Sequence, residues 1–250
     1  MAVSIKSARE IELMREAGKR LAHVHQELEA MIAPGISTWE IDAKGEKLIR
    51  DCGCIPNFLH YNGYPASICV SVNDEVVHGI PRKDRYLKEG DIVSLDAGLI
   101  YKGYHSDAAR THAVGKVSTE AQKLMDVTKQ SFFEGIKMAK EGQHLHDISR
   151  AIEEYVTPYG YGIVRDLVGH GIGTALHEDP QIPNYAQKRR GVRLQAGMTL
   201  AIEPMINAGT WQVRFLRDGG TGVTKDGSLS AHYENTILVT DGEPEILTLY

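Results

Sequence analysis

Five chemically demanding residues are embedded in apolar, strand-like stretches of the chain: Asp96 in IVSLDAGLI, Asp107 in YHSDAART, His170 in LVGHGIG, Glu203 in TLAIEPMI and Glu234 in HYENTILV. An ionised carboxylate in a core strand costs several kcal/mol unless it is protonated, paired with Arg or Lys, or bound to a metal. Metal is the option that accounts for all five together. Residues 91–100 and 104–114 read as two strands joined by a tight turn at Ile100-Tyr101-Lys102-Gly103. A hairpin centred between Tyr101 and Lys102 would set Asp96 directly opposite Asp107, with Cβ atoms about 5 Å apart. Like charges so placed repel unless a cation lies between them.

The elements that must hold these groups repeat along the chain. A shift of 107 residues places Gly35 on Gly142, Gly53 on Gly160, Ile41 on Ile148, Ile49 on Val156, and Asp96 on Glu203. Each copy reads as a long amphipathic helix, a Gly-containing break, a shorter helix, a Gly and then strands. One acid from each copy would approach a pseudo-twofold axis, which places a shared metal centre between the halves, roughly 7–114 and 115–250. No Pro, Gly or Ser-rich linker separates them, so residues 1–250 are expected to form one domain.

Ser7 with Glu10 makes a capping box, after which Ile11, Met14, Ala17, Leu21, Val24, Leu28 and Ile32 keep helical spacing until Pro34-Gly35. Ser37 with Glu40 opens a second helix that stops near Cys52-Gly53. Residues 118–140 and 145–157 repeat the pair. Strands are expected at 66–72, 76–79, 91–100, 104–114, 163–169, 199–206 and 230–239. Antiparallel strands covered by helices indicate the α+β class rather than a parallel doubly wound sheet.

At 250 residues with 42% hydrophobic content, the chain buries roughly 70 to 75% of its unfolded surface in one large core. The net charge of −5 gives no global reason to bind DNA. A short basic stretch, Lys188, Arg189, Arg190 and Arg193, is the local exception. No run of eighteen apolar residues exists, and MAVSIKSARE lacks a signal-peptide core, so a cytoplasmic location without membrane contact is expected. Cys52 and Cys54 lack zinc or redox spacing and read as helix-end packing, in keeping with a reducing compartment.

In order along the chain, SLDAGLIYKGYHSDAART, GHGIGTALHEDP, TLAIEPM and SLSAHYENTILV resemble the signature blocks of the type I methionine aminopeptidases, which belong to the pita-bread metallopeptidases. The resemblance covers nearly the whole chain. It implies two pseudo-symmetric halves around a curved antiparallel sheet with helices outside.

It further implies that Asp96, Asp107, His170, Glu203 and Glu234 bind two divalent ions, with Asp107 and Glu234 bridging. Four carboxylates balance two such ions in charge. Oxygen donors with one imidazole suit Mn²⁺, Fe²⁺ or Co²⁺, and Zn²⁺ is compatible. A water held between two such ions becomes a hydroxide near pH 7, and the resemblance makes this hydroxide the nucleophile on the first peptide bond. Glu203 relays its proton, while the substrate amino group ligates one metal. His78 and His177 are expected at the scissile amide.

Tyr61, Tyr64 and Cys69 match positions lining the methionine pocket of the family. Leu176 and Gly220 stand where many members carry Phe and Trp, and Phe58 where some carry Cys. His60, His105, His146 and His232 receive no role.

The expected activity is thus a metallo-exopeptidase, a methionyl aminopeptidase hydrolase that removes the initiator methionine before a small second residue. A proline-directed peptidase of the same fold and a non-catalytic binding protein on that fold are the alternatives. The short chain and complete ligand set favour the methionine enzyme. Expected partners are protein N-termini beginning with Met, and a transient contact of the basic stretch with ribosomal RNA. A monomer is expected, itself processed to begin at Ala2.

Overall fold

The computed structural model of the chain describes residues 3–250; the processing site expected between Met1 and Ala2 lies outside them. Helix α1 (Ala8–Glu29) opens on the capping box, with Ser7 Oγ accepting from the Glu10 N–H and Glu10 accepting from the Ser7 N–H. Met14, Ala17, Leu21, Val24 and Leu28 recur every three or four residues and are wholly buried. The helix ends before Pro34 is reached. Met31 and Ile32 donate to carbonyls three residues back, at 3.2 and 3.1 Å, and this tighter winding closes α1. Helix α2 (Thr38–Asp51) is capped by Ser37 with Glu40 and stops at Cys52, as its spacing requires.

The second pair, α3 (Thr119–Ile136) and α4 (Leu145–Val156), echoes the first. α3 is shorter than the expected 118–140 because Met138 and Ala139 also donate three residues back. These are the positions reached from Met31 and Ile32 by the same 107-residue shift. Gly35 and Gly142 hold φ of +91° and +86°, and Gly53 and Gly160 hold +70° and +73°, a backbone region that Gly enters without a Cβ clash.

The strands that bear on the site are β1 (Ile68–Val72), β2 (Ile92–Tyr101), β3 (Tyr104–Ala113), β4 (Gly169–Gly171), β5 (Glu178–Ile182), β6 (Thr199–Ile202) and β7 (Glu234–Leu238). They form the body of a nine-stranded antiparallel sheet whose neighbours run β1–β2–β3–β7–β6–β4–β5. The order is mirrored about the β3–β7 boundary. β2 and β6 hold equivalent places, as do β1 and β4, so the sheet has two pseudo-symmetric halves. α1 and α2 cover the first half against Ile68, Val93, Leu95 and Ala97. α3 and α4 cover the second against Leu200, Ile202 and Ile237.

Two expectations need correction. The hairpin is centred between Lys102 and Gly103, with Tyr101 paired to Tyr104, so Asp96 lies opposite Ala109 and Asp107 opposite Gly98. The two acids are therefore diagonal neighbours, not direct partners. The cause is the turn: Lys102 and Gly103 hold φ of +48° and +84°, as the corners of a two-residue hairpin turn require.

The long strands expected in the second half are also broken. Residues 163–169 divide into a short Gly162–Ile163 strand and β4, 199–206 breaks at Glu203-Pro204, and 230–239 breaks at Tyr233. The short strands β5, Val213–Phe215 and Gly222–Thr224 were not expected at all.

Candidate active site

The five residues singled out by sequence come from five adjacent strands: Asp96 on β2, Asp107 on β3, Glu234 at the start of β7, Glu203 just after β6, and His170 on β4. Asp96 and Glu234 both pair with Ala109, from opposite sides. Paired antiparallel residues share a face, so Asp96, Glu234 and Asp107 project together. Small residues on that face let other side chains pack closely against it. A Cβ added at Gly98, across from Asp107, would lie 2.2 Å from Asn57 Oδ1.

Glycine also positions His170. A Cβ at Gly169 would approach the Ala201 carbonyl oxygen to 2.4 Å, and one at Gly171 the Asp179 carbonyl oxygen to 2.2 Å. β4 thereby packs closely between β5 and β6. His170 Nδ1 lies 2.8 Å from the Gly171 carbonyl, to which it donates, leaving the Nε2 lone pair toward the acids. Nε2 is 3.6 Å from Glu203 Oε1 and 3.9 Å from Asp107 Oδ2.

Two groups of ligand atoms, Asp107–His170–Glu234 and Glu203–His232–Glu234, each lie within 4.8 Å of one another. Glu234 is shared between them. Asp96 stands outside both tight groups, but it lines the same cavity as Asp107 and Glu234.

Burial, and next the neighbouring carboxylates, push Asp107 and Glu234 well above the usual carboxylate range, and burial with Asp96 does the same to Glu203. Burial raises Asp96 to about 7. His170 is lowered to about 4, chiefly by burial, and is a neutral imidazole with a lone pair to give. Among the described residues, no Lys or Arg forms an ion pair with any of the five. Asp96 Oδ1, Asp107 Oδ1 and Glu234 Oε1 are buried without a hydrogen-bond partner. Oxygen-rich, partnerless and mutually repelling, this set fits divalent cations.

Above it lies a cavity of about 270 Å³. Phe58, Tyr64, Cys69 and Leu176 give it an apolar wall, and Tyr61, His78 and His177 also line it, so every expected substrate residue borders one space. Tyr64 is fixed by donating to the Gly79 carbonyl at 2.8 Å. His78 holds φ of +58°, a strained conformation for a residue with a side chain. His177 meets the His170 ring edge-on, 4.3 Å between centroids. Gly219, rather than Gly220, is the cavity glycine, and a Cβ on Gly220 would meet nothing within 4 Å.

One site residue was missed. His232 is 1% exposed, lines the cavity, and places Nε2 3.7 Å from Glu203 Oε2. Its signal in the sequence was the two-residue spacing to Glu234 in HYEN, which is the period of a strand face.

The fold and the site define a metallopeptidase. The chain belongs to metallopeptidase family M24, which matches residues 12–241, and it shares that family's use of divalent metal and its pita-bread fold. A methionine aminopeptidase of Clostridium acetobutylicum is 53% identical over 99% of both chains. Methionine aminopeptidase 1 of Bacillus subtilis is 51% identical over 97% of this chain and 98% of its own. The crystal structure of a methionine aminopeptidase from Thermotoga maritima superposes with a TM-score of 0.97 at 46% identity, covering 100% of both chains.

Proposed function

We propose that the protein is a methionyl aminopeptidase that removes the initiator methionine from new proteins whose second residue is small. The observation that carries this reading is the convergence of Asp96, Asp107, His170, Glu203 and Glu234 on the floor of an apolar cavity. We assign two divalent ions to this floor, Mn²⁺, Fe²⁺ or Co²⁺ with Zn²⁺ compatible, because four carboxylates need four positive charges. Such ions supply Lewis-acid polarisation of a carbonyl and lower the pKa of water.

The chain's own residues do the rest. Glu203 lines the cavity with the other acids, where its carboxylate takes and returns a proton. Tyr61 Oη lies 2.7 Å from His177 Nδ1; we assign the tyrosine hydroxyl as the donor, which puts the imidazole proton on Nε2 to face the amide that is cleaved. His78 borders the same space as a second donor. Phe58, Tyr64, Cys69 and Leu176 receive the methionine side chain and exclude water from it. A closed, apolar end and a buried acid floor suit a chain terminus and not a continuous polypeptide.

The enzyme is read as one catalytic unit spanning residues 1–250, acting as a cytoplasmic monomer on emerging chains. Among the described residues no helix is long and apolar enough to cross a membrane. Lys188, Arg189 and Arg193 are exposed and could meet ribosomal phosphates, whereas Arg190 is held by Asp147 at 2.5 Å. Salt-sensitive co-sedimentation with ribosomes that survives Lys188→Glu with Arg189→Glu would remove that contact.

The deciding experiment strips the metal, refills the protein singly with Mn²⁺, Fe²⁺, Co²⁺ or Zn²⁺, and offers Met-Ala-Ser, Leu-Ala-Ser and Pro-containing peptides. Cleavage of Met-Ala-Ser alone is expected, and preferred cleavage beside Pro would overturn the reading. Glu203→Ala should abolish turnover. His177→Ala should lower the rate by roughly a hundredfold while sparing metal uptake.

A further inference from the structure

His232 closes the short strand Ser230–His232, where it pairs with Met205, two residues after Glu203 and two before Glu234. Its backbone is pinned on both sides to β3: the His232 N–H donates to Thr111 Oγ1 at 2.8 Å, and Thr111 Oγ1 donates to the His232 carbonyl at 2.9 Å. The residue is buried, and close packing leaves the ring little freedom to turn away. Neither of its nitrogens has a hydrogen-bond partner, although the residue is 1% exposed. Buried imidazoles normally satisfy at least one nitrogen. His25 does so, with Nε2 2.8 Å from the Ala108 carbonyl.

The unpartnered Nε2 of His232 stands 3.7 Å from Glu203 Oε2 and 3.9 Å from Glu234 Oε2. Those separations are too long for hydrogen bonds. They fit atoms that share an ion, since donors about 2.1 Å from one metal lie roughly 3 to 4 Å from each other. The arrangement repeats that of His170, whose Nε2 is 3.6 Å from the other oxygen of the same carboxylate, Glu203 Oε1. Glu203 thus presents one oxygen to each of two histidines.

We propose that His232 is a sixth protein ligand of the metal centre, supplying an imidazole nitrogen to the ion held by Glu203 and Glu234. Each half of the centre then has its own histidine, His170 on one side and His232 on the other. The inference rests on the metallopeptidase reading above and adds a nitrogen donor to a set otherwise made of oxygen and one imidazole. A second imidazole moves selectivity away from Mn²⁺ and toward Co²⁺ and Zn²⁺. Metal-bound histidines ordinarily pass their other N–H to a polar partner. His232 also borders a second cavity, beside Arg110, Thr111 and Tyr233.

The test counts histidine ligands directly. The full chain is stripped of metal, loaded with two equivalents of Co²⁺, and its hyperfine-shifted, exchangeable imidazole N–H protons are recorded by proton NMR in water. Two signals are expected in the native sequence, one of them lost in His232→Gln. Calorimetric titration of the same variant should show the weaker-bound equivalent losing affinity by 10- to 100-fold.

A single signal in the native sequence overturns the proposal without reference to any variant. So do two signals that both survive in His232→Gln and in His232→Asn. If Met-Ala-Ser is cleaved while only one imidazole signal appears, the His232 inference alone has failed. If no ion restores cleavage of any Met peptide, the peptidase reading has failed instead.

Discussion

Asp96 and Asp107 sit diagonally across the β2–β3 hairpin, on one face, with both carboxyls lining one cavity. Two buried carboxyls so close repel each other when ionised and retain protons when no cation is present. Burial raises Asp96 to about 7 and lifts Asp107 well above its ordinary range. Folded protein therefore keeps protons on these acids at pH values where the unfolded chain has released them. A group raised on folding stabilises below its unfolded pKa and loses that contribution as pH climbs through the folded value. Metal-stripped protein should lose stability from the usual carboxylate range up through pH 7 and beyond. Bound divalent ions replace the protons and cancel the loss. Melting temperatures of stripped and loaded protein should diverge by about 5 °C or more between pH 5.5 and 8.5. A gap that stays constant over that range contradicts the account.

The glycines beside His170 give a second prediction. A methyl group at residue 171 would overlap the Asp179 carbonyl oxygen at 2.2 Å, and that atom is backbone, which cannot swing aside. Gly171→Ala should push β5 away from β4 and turn the imidazole off the acids. Destabilisation of about 1 to 3 kcal/mol is expected from such overpacking, with metal affinity lowered as well. Gly53→Ala, where nothing lies within 4 Å but φ is +70°, serves as a control that strains the backbone without touching the site. It should leave metal affinity unchanged. Urea unfolding and calorimetry on the three proteins decide the matter.

How much of this was legible in the sequence depended on which residues spoke for themselves. Charged residues in apolar strands announced the acid floor, because burial there has few physical solutions. The 107-residue echo announced two halves, and the mirrored order β2–β3–β7–β6 agrees with it. What the chain concealed was register. The turn lies one residue later than a symmetric reading of IYKG suggests, because Lys102 joins Gly103 at positive φ, and non-glycine residues rarely signal that. The break at Glu203-Pro204 was signalled by the proline, which cannot donate to a sheet ladder, whereas the break at Tyr233 falls in AHYEN, where no Gly or Pro marks it. His232 was hidden by an ordinary prior. An isolated histidine is most often structural, and the two-residue spacing to Glu234 gains meaning only beside its two bare nitrogens in the folded protein.

Selectivity should reside in Leu176. It is 3% exposed, packs with Phe58, Cys69 and Tyr64, and lines the cavity above the acids. Leu176→Ala enlarges the apolar end, so a methionine side chain loses contact while other residues gain room. Discrimination between Met-Ala-Ser and Leu-Ala-Ser, measured as the ratio of kcat/KM values, should fall by about tenfold or more. Leu176→Phe should move in the opposite direction, narrowing the space and penalising substrates bulkier than Met. Equal ratios in all three proteins would place specificity elsewhere in the cavity.

The pairing of Tyr61 with His177 supplies the last test. Their hydrogen bond spans 116 residues of sequence and 2.7 Å of space, and the rings lie 5.4 Å apart between centroids. Tyr61 comes from the turn after Phe58, and His177 from the segment between β4 and β5, so the bond ties the two lips of the cavity together. Tyr61→Phe keeps the ring contact and removes only the hydroxyl. Without that donor, Nδ1 can take the proton, and the fraction of His177 presenting Nε2–H to substrate declines. Loss of one hydrogen bond at a partly exposed site amounts to about 0.5 to 1.5 kcal/mol, or a fall of roughly 2- to 10-fold in kcat/KM. The decrease should appear in kcat, since the donor acts on the developing charge, while KM and metal content hold steady. His177→Ala combined with Tyr61→Phe should be no slower than His177→Ala alone, because the tyrosine acts through the histidine. Additive losses in that double variant would mean that Tyr61 meets the substrate by itself.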